Sequence, residues 1–348
     1  MERFDSAIVI SGCSAISSAG IGIEPVREAV LSGISCLKAI PAELVANKAG
    51  QCWGKADQFK AADFIPPLKV RKLDRASQFA VATAGLALAH AGIARDRLAG
   101  ERIGIALGCG FGGIANSSEL LSGYYQGGVS GLSPMLFPNT VANAAASNAS
   151  IEYGLKGPNL TIIQRFCSAE TAILAACRFI EEGRADVMLA GGADELTPQM
   201  IRGFAATGQL TRSASGFGEG CGMLVLERVS HARERGAAIK AQITGIGTIG
   251  FLLPGAEQQG IEHLLQGQQS CDRLTVSGAE SAVLPLLAAV QAASIYYPGQ
   301  LVGRSLAMGG TVLGLLTALL QPGEQGLHLA ASPEGPYYAI SVKGGPPA

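Results

Sequence analysis

The stretch from Gly154 to Gly192 decides more of this chain's architecture than any other. It reads GLKGPNLTIIQRFCSAETAILAACRFIEEGRADVMLAGG. Leu160 to Gln164 is a short apolar run carrying Thr and Ile, the composition of a buried strand. Ile173, Leu174, Cys177 and Ile180 recur at helical spacing, so residues 167–182 predict a helix, with Gly183 as its stop. Asp186 to Ala190 predict a second buried strand, closed by Gly191 and Gly192. A strand that turns sharply into a helix sets free N–H groups and the positive end of the helix dipole beside the turn. Enzymes of the α/β class mount nucleophiles at such turns.

The rest of the chain is consistent with a layered α/β protein. It has 348 residues, 48% of them hydrophobic and 15% charged, enough for one large core or two halves. Its 47 glycines and low aromatic content of 5% suit tightly packed layers and argue against disorder. The net charge of −1 gives no reason to expect nucleic acid or an anionic membrane as partner. No uninterrupted run of about 18 apolar residues predicts a membrane span. Glu2 and Asp5 precede the first strand-like run, which does not fit a signal peptide, so a cytoplasmic location is expected. The eight cysteines form no CxxC pair and have no histidine at ligand spacing. They predict buried thiols, no metal site and no cofactor.

Further elements follow in order. Residues 6–14 predict a strand, 23–32 a helix stopped by Gly33, and 40–69 an irregular segment holding the only tryptophan, Trp53. Residues 71–91 predict a long helix ended by Gly92, and 103–108 a buried strand that runs into the glycine-rich CGFGG. Residues 223–227 and 241–246 predict two more strands.

The GPNLTI strand, the helix after it and the strand ending in AGG resemble the nucleophile region of the β-ketoacyl synthases of the thiolase-like superfamily. PPLKVRKLDRASQFAVATAGLALAHAGI, SPMLFPNTVANAAAS and GFGEGCGMLVLERVSHARERGA resemble further segments of that family in the same order. The resemblance implies an α/β thiolase-like fold of two pseudo-duplicated halves stacked as five layers, α-β-α-β-α. The halves would be residues 1–232 and a short 233–348. It also implies where the catalytic groups should stand. Counting from Gly157-Pro158-Asn159 or back from Gly191-Gly192 puts the nucleophile position on Phe166, with Cys167 one place late. The first family histidine falls on Ser277, within LTVSGAES. The second, counted back from Gly314, falls on Met308. The family's NSFGFGGTN motif has its nearest match in Ile340–Pro347, where two glycines survive, and the chain is then expected to stop short of the family's last strand. The four histidines, His90, His231, His263 and His328, fall in none of these motifs. His231 reads as a solvated helix start, and His328 as bordering a C-terminal strand.

Three altered catalytic positions make independent condensing chemistry improbable, because such groups act as a unit. The resemblance therefore implies a non-catalytic subunit of the chain-length-factor kind, from an aryl-polyene or similar polyketide-type system. It would form a heterodimer with an active ketosynthase and work on a growing acyl chain held by acyl carrier protein. Met135, Leu136 and Phe137 would contact the tunnel, with Asn143 in the same interface segment. Ordinary packing under a loop is the competing reading for the three apolar residues. Phe166 would fill the emptied pocket. Arg165 would reach a carboxylate on the partner, or else lie exposed at the turn. Two other readings stay open: an active acyltransferase using Cys167, and a homodimeric scaffold that binds acyl carrier protein.

Overall fold

The computed structural model describes residues 7–45, 51–94, 100–212 and 216–347. Glu2 and Asp5 lie outside them. The strands in chain order are β1 (Ile8–Ser17), β2 (Gly20–Ile21), β3 (Lys38–Ala39), β4 (Cys52–Trp53), β5 (Ile103–Cys109), β6 (Asn159–Ile163), β7 (Val187–Asp194), β8 (Gly220–Arg228), β9 (Ala241–Ile249), β10 (Ser270–Gly278), β11 (Gln291–Tyr296), β12 (Gln325–Ala331) and β13 (Tyr337–Gly344). β3 and β4 pair with each other, and the other eleven form one sheet.

That sheet repeats one plan. β6, β5 and β7 run parallel, and β8 and β1 continue antiparallel. β11, β10 and β12 run parallel in turn, and β13 and β9 continue antiparallel. The two units meet where β1 pairs with β9 over Ile8, Val9 and Ile10 alone. Helices Ser168–Glu181 and Gly309–Leu319 lie between the units and pack on strands and on each other. Helices Arg75–His90 and Ala144–Tyr153 cover the outer side of the first unit, and Glu257–Leu265 and Glu280–Leu287 that of the second. The result is the expected five-layer stack.

The central helix Gly309–Leu319 is apolar on every side, as a helix enclosed all round must be. Its approach to the first unit is set by backbone. A Cβ at Gly310 would lie 2.1 Å from the Gly222 carbonyl oxygen, so only glycine lets the helix sit against β8. The position between residues 232 and 233 falls inside the short helix Val229–Glu234, and the sheet continues across it. Among the described residues no helix is long and apolar enough to cross a membrane.

Three expectations are corrected here. Residues 160–164 do not form a buried strand: β6 is the sheet's edge, with Asn159 and Ile163 exposed and the residues between them half-buried. An apolar run carries no information about whether a second strand covers it. Nor is the second unit short of a last strand. β13 occupies in it the place that β8 has in the first. In consequence Gly344 and Gly345 lie beside Gln321 and Ile239, at the far end of β13, and the loop that reaches the turn after β6 is Ser332–Pro336. His328 lies within β12 and is fully buried.

Candidate functional site

The turn between β6 and helix Ser168–Glu181 is held in an uncommon shape. Arg165 and Cys167 both have positive φ, 53° and 65°. Such a backbone is disfavoured for residues with a Cβ and persists where neighbours enforce it. Ser168 is the enforcing residue. Its Oγ accepts from the Gln164 N–H at 3.0 Å and donates to the Arg165 carbonyl at 2.6 Å, with the Cys109 carbonyl 3.1 Å away.

Phe166 occupies the crest of this turn. Its ring packs against buried clusters from both units and lines a cavity of about 600 Å³. Cys167 is 2% exposed and belongs to the central core. Burial pushes its thiol well above its ordinary value, and the charge of Glu170 adds to the effect. The helix N-terminus beside it therefore yields no thiolate near neutral pH.

Ser277, at the end of β10, donates from Oγ to Glu170 Oε1 at 2.6 Å. His328 Nε2 donates to the same carboxylate oxygen at 3.0 Å and stands 3.3 Å from Ser277 Oγ. Its Nδ1 is 3.2 Å from Thr275 Oγ1. All four side chains are buried. Burial alone would raise the Glu170 carboxyl. The hydrogen bond and charge of His328, then the bond from Ser277, outweigh it and hold Glu170 below its ordinary value. Met308, also buried, caps helix Gly309–Leu319 and lines a small gap together with Ser277 and Arg304. A Cβ at Gly309 would stand 2.4 Å from the Glu170 carboxyl carbon, so that helix end is pressed against the buried acid.

The structure thus gathers the three sequence-predicted positions around one point. Ser277 and Gly309, the neighbour of Met308, lie against Glu170, which is one helical turn beyond Phe166. The tunnel candidates stand elsewhere. Met135 and Phe137 are 60% and 64% exposed, Leu136 is half-buried, and Asn143 is exposed; none lines the cavity. Arg165 is exposed at the turn, one of its two expected placements, and forms an ion pair of 3.0 Å with Glu334 of its own chain. His231 is not freely solvated either, since its Nδ1 lies 2.7 Å from the buried carboxylate of Glu227.

Sequence reasoning missed Glu170, His328 and Arg304. For Glu170 a signal was present. It falls three residues before Ile173, on the helix's apolar stripe, where a carboxylate needs a buried partner. For His328 and Arg304 no local signal exists.

The family profile of the β-ketoacyl synthase N-terminal domain matches residues 5–232. The 3-oxoacyl-(acyl-carrier-protein) synthase 2 of Vibrio cholerae is 31% identical over 260 residues, 70% of this chain and 63% of that protein. The synthase of the same name from Staphylococcus aureus strain COL is 28% identical over 279 residues, 74% of this chain and 67% of that protein. The chain thus spans about 63% of the length of the Vibrio relative. Among solved structures, a ketosynthase complex described as a type II polyketide synthase acyl carrier protein with its ketosynthase bound to the hexaketide superposes with TM-score 0.82 at 21% identity, covering 97% of this chain and 99% of that one. The ishigamide ketosynthase/chain length factor superposes with TM-score 0.81 at 21% identity and the same coverage.

Proposed function

The chain belongs to the β-ketoacyl synthase family, and from that premise we propose that it is a non-catalytic subunit which works, like a chain length factor, beside an active ketosynthase. One observation carries the reading. The crest of the nucleophile turn holds the benzyl group of Phe166, and the adjacent Cys167 is sealed in the core with its thiol protonated. Decarboxylative condensation needs a thiolate to carry the acyl group and N–H donors to stabilise the developing oxyanion. Here the donor positions hold Ser277, already committed to Glu170, and Met308, which has no N–H in its side chain. In this reading the partner supplies the chemistry, acyl carrier protein delivers the chain, and this subunit bounds the tunnel.

The outer surface supports a partner. Met135 and Phe137 are exposed on the segment that follows helix Ile114–Gly127, and exposed Tyr125, Val129, Ile151 and Ile163 belong to the same connected elements. Exposed apolar side chains gathered in this way mark protein–protein contacts. Their exposure is what interface residues show before a partner is added, and core packing does not produce it. A cytoplasmic location and a polyene-type product are parts of the same proposal.

Co-expression with an active ketosynthase and its acyl carrier protein, followed by an elongation assay, tests it. The expected result is a heterodimer that elongates, with no condensation by this chain alone. A stable homodimer that ignores the ketosynthase would favour the scaffold reading. Acylation of Cys167 by an acyl carrier protein thioester would favour the enzyme.

A further inference from the structure

A second large cavity lies at the opposite end of the fold from the Phe166 turn. β13 is 8 residues long and runs from the Ser332–Pro336 loop beside that turn to Gly344. Its two ends are therefore roughly 25 Å apart. At the far end Arg233, Lys240 and Lys343 line a cavity of about 930 Å³. They come from three places: the helix Val229–Glu234, the segment before β9, and β13 itself. The chain as a whole balances 26 Lys and Arg against 27 Asp and Glu. Yet no acidic side chain among the described residues lines this cavity. Nor does any of the three cations make an ion pair or a side-chain hydrogen bond among the described residues. Like charges gathered in a concavity repel one another and focus a positive field there, which a bound anion relieves.

The frame beneath these cations is fixed by the sheet. Lys343 stands opposite Gln242, and Gln242 opposite Val9, in antiparallel register across β13, β9 and β1. Opposed residues of such pairs share a face. Lys240 is held at both of its peptide groups: its N–H donates to the Ile10 carbonyl at 2.9 Å, and its carbonyl accepts from the Gly345 N–H at 2.9 Å. A Cβ at Gly344 would lie 2.1 Å from the Gln321 carbonyl oxygen, so the turn at Pro322 and Gly323 closes directly onto the end of β13. Val9, Leu320, Pro322 and Pro346 make the walls aliphatic, and no aromatic ring among the described residues lines them to stack on a base. Three cations match the charge of a diphosphate group, and aliphatic walls match an apolar body. We propose that this cavity binds an organic diphosphate with an aliphatic body, its diphosphate held by Arg233, Lys240 and Lys343. The cavity is separate from the Phe166 turn, so this binding is independent of the subunit role proposed above.

The test is calorimetric titration of the full-length chain with geranyl diphosphate, inorganic pyrophosphate and ADP. Geranyl diphosphate is expected to bind at least about tenfold more tightly than pyrophosphate, through burial of its apolar body. ADP, whose base finds no ring to stack on, should bind within about threefold of pyrophosphate. Arg233→Gln and Lys343→Gln alter exposed side chains and should leave the unfolding midpoint unchanged. Each should weaken geranyl diphosphate about fivefold or more, and raising the salt from about 50 to about 500 mM should weaken it further. On the unaltered chain, saturating geranyl diphosphate should protect Lys240 and Lys343 from acetylation, read by peptide mass spectrometry; this locates the ligand even if a variant fails to fold. No binding of geranyl diphosphate, an affinity equal to that of pyrophosphate, indifference to both variants, or unchanged acetylation overturns the proposal. So does tighter binding of ADP, or of a polyglutamate peptide, which would give the cavity to a nucleotide or to an acidic protein segment.

Discussion

Glu170→Ala is the most informative single change in this molecule. The carboxylate oxygen Oε1 accepts from Ser277 Oγ at 2.6 Å and from His328 Nε2 at 3.0 Å. Removing it leaves two buried donors without their acceptor, at about 1–3 kcal/mol each. Gly309 is pressed against the carboxyl group, so the space left behind is bounded by helix backbone and does not close easily. The expected cost is about 3–5 kcal/mol, in line with the loss of one member of a buried pair. Glu170→Gln keeps the shape and an acceptor for His328, and should cost about 1–2 kcal/mol. The pH dependence has a definite sign. The folded carboxyl titrates below 4.5, so its contribution is fully present above that value and is lost as pH falls through the lowered folded pKa. Urea unfolding followed by far-ultraviolet circular dichroism gives the costs at pH 7. A double-mutant cycle with His328→Ala gives the coupling between acid and imidazole. A Glu170→Ala cost under about 1 kcal/mol, or a cycle without coupling, would refute the reading of Glu170 and His328 as a coupled buried pair.

Three other outcomes are expected. Glu195 is buried; one oxygen accepts from the Ala115 N–H at 2.8 Å and the other has no partner. Burial, then the charges of Asp74 and Glu219, push its carboxyl up to about 7 from an ordinary 4.5, so it weakens the fold increasingly as pH rises between those values. Glu195→Gln should flatten that slope and stabilise the protein by up to ~3 kcal/mol above pH 7, and unfolding curves with unchanged pH dependence would contradict it. Cys167 should react with iodoacetamide at pH 7.5 at least about a hundredfold more slowly than an exposed thiol, as read by peptide mass spectrometry; prompt labelling would show that the turn opens. Met135→Glu with Phe137→Glu should change stability by less than about 1 kcal/mol, because both side chains are exposed, yet abolish co-purification with a ketosynthase. Undiminished co-purification would move the interface elsewhere.

What the sequence could and could not show follows from the range of the forces involved. The strand–turn–helix–strand frame around Phe166 was legible because its signals are local: apolar spacing, a helix stop at Gly183, and the glycines that close β7. Helix Arg75–His90 was legible for the same reason, and its start is made by Asp74, whose side chain accepts from the Ser77 N–H. The partners of the site were not legible. His328 lies 158 residues from Glu170, and Arg165 lies 169 from Glu334. Parallel pairing of β10 with β12 sets Ser277 opposite Ala330, two residues beyond His328, and no periodicity announces that register. The exposed edge at β6 misled for a related reason. Thr and Ile suit any pleated strand, and burial depends on whether another strand is beside it.

The narrow seam at β1 has a consequence for how the chain is made. β1 is buried along its whole length, and its partners are β8, from Arg228 backward, and β9. Roughly two hundred residues must therefore leave the ribosome after β1 before either edge of it finds a hydrogen-bonding neighbour other than the two-residue β2. β1 is synthesised well before its sheet neighbours, and an apolar ribbon with open edges accompanies the nascent chain until they follow. A chain released before Gly220 would carry that ribbon with no strand to receive it, which makes early termination products of this protein a natural substrate for chaperones.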